Sequence, residues 1–179
     1  MTQLSTQHFS AWTGGHWSRT PPETIEDFCI DTRKMQPGNL FVAIKTDARD
    51  GHDFLEDAKR LGAVAALVSK EAPQIELAQL VVADTGKALR ELALQQRMEF
   101  SGTTIGITGS CGKTSTKELL ALLLGEDTLK THANFNNHLG VPLTLLRLRA
   151  EHRHAVVEVG MNATGEMASL ARIIQPGYS

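Results

Sequence analysis

The segment Thr108–Thr114, with the sequence TGSCGKT, constrains the fold of this 179-residue chain more than any other part of it. The β-branched run Thr103–Thr108 predicts a strand that leads into it, and the pattern of Lys113–Leu124 predicts a helix that ends at Gly125. Glycines in such a turn allow consecutive backbone N–H groups to face one anion, and the following helix adds the positive end of its dipole. The segment is therefore interpreted as a phosphate-binding loop.

The residue types in this loop suit a nucleoside triphosphate and Mg²⁺. We expect the Lys113 ammonium to reach the β- and γ-phosphates and the Thr114 hydroxyl to bind Mg²⁺. The strict spacing of such loops is broken, because Ile107 stands where the first glycine is expected and Gly109 comes two residues later. The predicted strand and helix on either side still favour phosphate binding over a simple turn. The residues predicted to bind the nucleotide are Thr108, Gly109, Ser110, Cys111, Gly112, Lys113 and Thr114.

Glu158 is the carboxylate expected to bind the same metal ion. It lies in the apolar run Ala155–Val159, near the carboxyl end of a predicted strand, which is where doubly wound sheets bind their ligands. A charge in such a strand is rarely buried without a partner. We predict that Glu158 binds or orients Mg²⁺; the alternative is a carboxylate paired with a nearby arginine.

Strands and helices alternate along the rest of the chain, which predicts an α/β fold with parallel sheets and right-handed crossovers. We divide the chain into two domains, residues 1–99 and residues 100–179. The last helix should lead to another strand. Because a three-stranded parallel sheet in the second domain would leave an edge uncovered, we expect either a truncated parent protein or a partner that completes the sheet. The other predicted strands are Phe28–Asp31, Leu40–Ile44, Val64–Val68, Leu80–Ala83 and Leu129–His132, and the other predicted helices are Ser5–Trp12, Phe54–Leu61, Thr85–Met98, Pro142–Leu148 and Glu166–Ile174.

Composition excludes several classes of protein. The net charge is −2, with 18 basic against 20 acidic residues, so no basic field predicts nucleic-acid binding. The longest apolar run, Leu119–Leu124, is too short to cross a membrane, and the N-terminus has no pattern of a secretory signal. Two cysteines, Cys29 and Cys111, cannot form a disulfide framework. We therefore expect a cytoplasmic protein without membrane insertion.

Several motifs together resemble the Mur ligases. After the loop TGSCGKT come the segment NFNNHLGVPLTLL at residues 134–146, the segment EVGMN at residues 158–162 and the segment GEM at residues 165–167. In the front part, Asp31–Lys34, Pro37–Ala43 and Asp50–Phe54 are similar to the UDP-binding domain of that family. Many members have asparagine at the position of Cys111. The resemblance covers the chain from Asp31 to Pro176.

The resemblance is strongest to the members that join D-alanyl-D-alanine to UDP-N-acetylmuramoyl-tripeptide during peptidoglycan precursor synthesis. It implies an ATP- and Mg²⁺-dependent ligase that forms an amide bond through an acyl phosphate. Residues 1–99 would form the UDP-sugar-binding domain and residues 100–179 the first half of a Rossmann-like ATPase domain, with the C-terminal domain missing. We expect these residues alone not to turn over. The alternatives are the Mur ligase that adds the third amino acid, and a non-catalytic module that binds UDP-sugars or ATP.

The same resemblance implies roles for individual residues. Lys113 and Glu158 would be catalytic, with Thr114 and Glu158 as the metal ligands. For Asp50 and His52 the alternative to substrate binding is a polar loop in which Asp53 caps a helix. For Asn136 and Asn137 the alternative is a turn that caps the helix at Pro142. The residues implied to bind substrate are Thr32, Arg33, Asp50, His52, Asn136 and Asn137.

Overall fold

A computed structural model describes residues 4–160 and 166–179, which divide into two compact units, Met1–Glu91 and Leu92–Ser179. Each unit contains its own mainly parallel sheet with helical connections, so the α/β prediction is confirmed. Met161, Asn162 and Gly165, which contribute to the resemblance, lie outside the described residues. None of the helices in the described ranges has the length and hydrophobicity that a membrane span requires.

The front unit is built on a five-stranded sheet with the order β2-β7-β6-β5-β4. The strands β4 to β7 pair in parallel, and β2 runs antiparallel to β7 at one edge. A small antiparallel pair, β1 with β3, lies apart from this sheet. The strands are β1 (Leu4–Ser5), β2 (His16–Trp17), β3 (Thr24–Ile25), β4 (Phe28–Cys29), β5 (Leu40–Val42), β6 (Ala65–Val68) and β7 (Ala78–Val81), and the helices are α1 (Phe9–Thr13), α2 (Leu55–Arg60) and α3 (Thr85–Glu99), the last of which continues into the second unit.

The second unit has a three-stranded parallel sheet with the order β8-β10-β9. Its register pairs Glu158 with Ile107, so Glu158 lies beside the end of the strand that leads into the phosphate loop. Tyr178 forms an isolated parallel bridge to Ile105 of β8, so the chain contacts the sheet again after the last helix. The elements are β8 (Thr103–Ile107), α4 (Lys113–Leu124), β9 (Thr128–Lys130), α5 (Gly140–Leu145), β10 (His154–Glu158) and α6 (Glu166–Ile174).

The central strands of both sheets are buried on both faces, as parallel sheets covered by helices are. In the front unit, Leu40, Val42, Ala65 and Leu67 are completely inaccessible to solvent. In the second unit, the run Ala155–Val157 is equally buried. The short apolar runs in the sequence therefore correspond to interior strands, and the ends of these strands are rigid positions for polar side chains.

The bounds of α4 and α6 agree with the prediction, whereas three other predictions are wrong. The predicted helix Ser5–Trp12 begins only at Phe9, because Leu4–Ser5 pairs with β3. Asp53 does not cap α2: Asp50 accepts the His52 N–H and begins a 3₁₀ helix over Gly51–Phe54.

The helix predicted at Pro142–Leu148 also has different bounds, Gly140–Leu145. The Asn137 side chain accepts hydrogen bonds from the N–H groups of Leu139 and Gly140 and so begins the helix earlier. Pro142 still lies in its first turn, where a missing N–H costs little.

Gly140→Ala should lower stability, because an added Cβ would lie 2.4 Å from the backbone of Phe135. We expect a loss of about 2 kcal/mol in the free energy of unfolding, as for other overpacked sites. Chemical denaturation measures this value. Gly106→Ala is the control, since its Cβ would meet Pro176 at an ordinary 3.6 Å. Equal stability of the two variants would contradict the crowding at Gly140.

Candidate active site

The phosphate loop connects the end of β8 to the start of α4. Gly109 and Gly112 have φ angles of +142° and +77°, which residues other than glycine rarely adopt. Between them, Ser110 and Cys111 are exposed. Gly112, at the N-cap position of α4, has no side chain that could cap the helix, so the N–H groups of its first turn are open to an anion. The backbone geometry therefore suits phosphate binding.

The Lys113 side chain folds back over this loop. Its Nζ donates a hydrogen bond to the carbonyl oxygen of Gly109 at 2.8 Å. This bond closes the loop, and a bound phosphate would compete for the ammonium, since an ion pair with phosphate is stronger than a bond to a carbonyl. Lys113 is thus placed at the loop that it was predicted to serve.

Glu158 is 2% exposed, and both of its carboxylate oxygens accept hydrogen bonds. The Thr114 hydroxyl donates to Oε2 at 3.1 Å, and the Asn136 amide donates to Oε1 at 3.0 Å. The backbone N–H of Glu158 donates to the Thr131 hydroxyl at 2.9 Å. The structure therefore brings together Thr114, Asn136 and Glu158, which are far apart in the sequence.

Lys117 is the ionic partner of Glu158, where an arginine was the expected alternative. Its Nζ lies 3.7 Å from Glu158 Oε2 and 3.1 Å from Glu118 Oε1, and its side chain is 1% exposed. The ammonium gives the buried carboxylate a partner of opposite charge, which a buried ion requires. Glu158 is thus a paired carboxylate next to the proposed metal-binding hydroxyl.

The two asparagines have different environments. Asn136 binds Glu158, whereas Asn137 Oδ1 accepts the N–H groups of Leu139 and Gly140 at 3.1 Å and 2.8 Å. The capping alternative therefore describes Asn137. A role for either side chain in substrate binding stays a prediction.

In the front unit, Arg33 forms a two-point ion pair with Asp31. The guanidinium Nε and Nη2 lie 2.9 Å and 2.7 Å from the two carboxylate oxygens, and the Arg33 side chain is 80% exposed. The hydrogen bond from Arg33 lowers the pKa of Asp31. Thr32 begins the short 3₁₀ helix Thr32–Lys34 that carries this arginine. The fork geometry that binds the carboxylate here is also the geometry that binds phosphate.

Asp50 and His52 contact each other directly. His52 Nδ1 lies 2.5 Å from Asp50 Oδ1, and His52 Nε2 accepts the Ser69 N–H at 2.9 Å, so Nδ1 carries the ring proton. The backbone hydrogen bond from His52 is the main cause that lowers the pKa of Asp50. The ring therefore connects the loop after β5 to the end of β6. A uridine-binding role stays a prediction.

These front residues nevertheless share one edge of the sheet. Arg33 follows β4, Asp50 follows β5 and Ser69 follows β6, and these three strands are parallel neighbours. Ligands of open α/β sheets bind outside this carboxyl edge.

Comparison with known families identifies both units. A model described as "Mur ligase family, catalytic domain" matches residues 24–97, and one described as "Mur ligase middle domain" matches residues 107–179. The chain belongs to the Mur ligase family. A curated relative, the UDP-N-acetylmuramoyl-tripeptide–D-alanyl-D-alanine ligase of Escherichia coli (strain K12), is 46% identical over 155 residues. The match covers 86% of this chain and 34% of that relative, so the chain spans about a third of its length.

Solved Mur ligase structures have the same fold. The UDP-N-acetylmuramoylalanyl-D-glutamyl-2,6-diaminopimelate–D-alanyl-D-alanyl ligase of Acinetobacter baumannii matches with a TM-score of 0.89 and 38% identity, over 98% of this chain and 40% of that one. The MurF ligase of Thermotoga maritima in complex with ADP matches with a TM-score of 0.71 and 33% identity, over 84% of this chain and 36% of that one.

The chemistry of Thr114 and Glu158 fits Mg²⁺. Mg²⁺ prefers hard oxygen ligands and usually takes one or two from protein, with the rest from phosphate and water. Thr114 and Glu158 supply a hydroxyl and a carboxylate that already touch each other at the start of α4. These two side chains would hold the ion.

The sequence did not predict two residues of this Mur ligase site, Lys117 and Thr131. Lys117 lies four residues before Ala121, and these two form the buried side of α4. The leucines of the same helix dominate its apolar pattern, yet Leu119, Leu122 and Leu123 are exposed. The spacing of Lys117 from Thr114 and Ala121 was the available signal.

Asn136→Asp should destabilise the protein in a pH-dependent way. The introduced carboxylate would face Glu158 at hydrogen-bond distance, so its folded-state pKa would lie above the unfolded value. Stability is then lost as the pH rises. We expect a loss of about 3 kcal/mol in the free energy of unfolding at pH 8 and clearly less at pH 5.

Denaturation at both pH values measures this difference. Asn134→Asp is the matched control, because it adds the same charge at an exposed position two residues away. A loss that is the same at pH 5 and pH 8 would show that the side chain at position 136 does not face the Glu158 carboxylate.

Proposed function

We propose that this chain is the front part of an ATP-dependent ligase that joins D-alanyl-D-alanine to UDP-N-acetylmuramoyl-tripeptide in peptidoglycan precursor synthesis. The observation that carries the proposal is the contact between Thr114 and Glu158 beside an uncapped phosphate loop. The names of the relatives supply the substrates. Such an enzyme would act in the cytoplasm, where ATP is available.

The reaction has two steps. A carboxylate oxygen of the tripeptide attacks the γ-phosphorus of ATP, which forms an acyl phosphate and releases ADP. The amine of D-alanyl-D-alanine then attacks the acyl carbon; the C–O bond breaks, phosphate leaves and the nitrogen loses a proton. The protein's contribution to such a transfer is mainly positioning and charge stabilisation.

The described residues have distinct tasks in this scheme. The backbone N–H groups of the loop and the first turn of α4 bind the phosphate oxygens, and Lys113 exchanges the Gly109 carbonyl for them. Thr114 and Glu158 would hold Mg²⁺, which would supply positive charge to neutralise the phosphates. Asn136 fixes the rotamer of Glu158 through its bond to Oε1.

The front unit would bind the UDP part of the substrate at the carboxyl edge of its sheet. Arg33 would exchange Asp31 for the diphosphate, with Thr32 beside it. Asp50 and His52 would form the uridine side of the pocket, with the ring held by Ser69. The D-alanyl-D-alanine site and further ATP contacts would lie in the remaining two thirds of the enzyme.

Lys113→Ala should weaken binding of a fluorescent ATP analogue in the presence of Mg²⁺ by about 10- to 100-fold, because one charge-assisted contact is lost. Equilibrium titration measures the Kd. Binding is the appropriate measurement, since we expect this chain alone not to turn over.

Lys87→Ala is the matched control for this experiment. Lys87 also lies in the first turn of a helix. There, however, the Asp84 side chain accepts a hydrogen bond from the backbone N–H of Lys87, so this N–H is not open to an anion. Equal affinity of the Lys113 and Lys87 variants would refute the phosphate loop. Retained binding in EDTA would argue against the metal site at Thr114 and Glu158.

Arg33→Ala should weaken binding of UDP-N-acetylmuramoyl-tripeptide by about tenfold or more, since a bidentate phosphate contact is lost. Calorimetric titration measures the affinity. Arg60→Ala is the control. Arg60 also pairs with an aspartate, Asp57, but it lies at the end of α2, just before the start of β6, and therefore at the edge of the sheet opposite to Arg33. Unchanged affinity in the Arg33 variant would remove this residue from the substrate site.

A further inference from the structure

Four alternating charges form a row from the surface of the second unit to the proposed metal site. Lys130 of β9 contacts Glu118, Glu118 contacts Lys117, and Lys117 contacts Glu158. The side chains of Lys130 and Glu118 are 46% and 49% exposed, whereas those of Lys117 and Glu158 are 1% and 3% exposed. The row thus connects a solvated ion pair to a buried one.

Lys117 is shared between two carboxylates. Its Nζ is closer to Glu118 Oε1, at 3.1 Å, than to Glu158 Oε2, at 3.7 Å. Because the side chain is buried, water does not solvate its charge, and the ammonium depends on these two partners. A small shift of Nζ changes which carboxylate carries most of the interaction.

A divalent cation at Glu158 would compete with Lys117 for the same oxygen region. Thr114, the other proposed metal ligand, donates to Oε2, the oxygen that Lys117 also faces. Two cations at one buried carboxylate repel each other strongly, since the medium screens them poorly. Metal binding therefore requires that the ammonium have another partner.

We propose that Lys117 pairs with the Glu158 carboxylate before Mg²⁺ binds, and that Glu118 retains the ammonium afterwards. Glu118 then sets the affinity for Mg²⁺ without contacting the ion. The inference rests on the proposed function, because it takes Thr114 and Glu158 as the metal ligands. It concerns only whether the Lys117 ammonium is paired with Glu158 or with Glu118.

The test is Mn²⁺ binding to the 179-residue chain at one fixed pH, with free Mn²⁺ measured by electron paramagnetic resonance. Mn²⁺ carries the charge of Mg²⁺ and takes similar oxygen ligands. Glu118→Gln should raise the Kd by about fivefold, at the lower end of typical coupling between linked sites. Glu126→Gln, the same change at an exposed position near the end of α4, should change it less than about twofold.

The Lys117→Met background separates the proposed mechanism from a general field effect. Without the ammonium, no charge needs a second partner, so Glu118→Gln should no longer alter the Kd, and Lys117→Met alone should not weaken binding. Lys117→Gln repeats the comparison with a polar side chain should the methionine variant fail to fold. An equal effect of Glu118→Gln in both backgrounds, or none in the native one, overturns the inference.

These outcomes differ from failure of the proposed function. If the native chain binds no Mn²⁺, with or without ADP, the metal site itself is wrong and the inference falls with it. If the native chain binds Mn²⁺ and Glu118→Gln has no effect, the metal site stands and only the role of Lys117 and Glu118 is refuted.

Discussion

The Glu158 carboxylate accepts hydrogen bonds from two separate segments and lies beside a buried ammonium, and the second unit is arranged around it. Thr114 belongs to the start of α4, Asn136 to the loop before α5, and Glu158 itself to the end of β10. A buried charge without such partners would cost several kcal/mol. The contacts that allow the fold to bury this carboxylate are therefore the same contacts that would orient it for the proposed metal ion.

In both units, the polar side chains of the candidate sites lie at the carboxyl ends of parallel strands. In the second unit, Glu158 lies at the end of β10, next to the loop that follows β8. In the front unit, Asp31 and Asp50 follow β4 and β5 and each holds a nearby side chain in place. The apolar strands supply rigid positions, and the loops after them supply the chemistry.

Local signals predicted much of this arrangement. The bounds of α4 follow from Gly112 and Gly125, whose positive φ angles end the regular structure on either side. The proximity of Thr114 and Glu158 followed from the order of strand, loop and helix together with the usual edge of a parallel sheet.

Contacts between distant segments were harder to predict. The pair β1 with β3 joins residues about 20 apart, so Leu4–Ser5 is a strand despite a helical local pattern. The burial of Lys117 depends on which face of α4 packs against β10. The leucine-rich pattern of the helix does not indicate this face. Asn136 and Asn137 have adjacent positions and opposite tasks, because backbone direction before α5 turns one side chain toward Glu158 and the other toward the helix.

The phosphate loop also contains a natural attachment point. The sequence has two cysteines, of which Cys29 is buried and Cys111 is exposed between the two loop glycines. A thiol-specific fluorophore or spin label would therefore modify the loop selectively in this 179-residue chain. The loop can report its own conformation without any engineered residue.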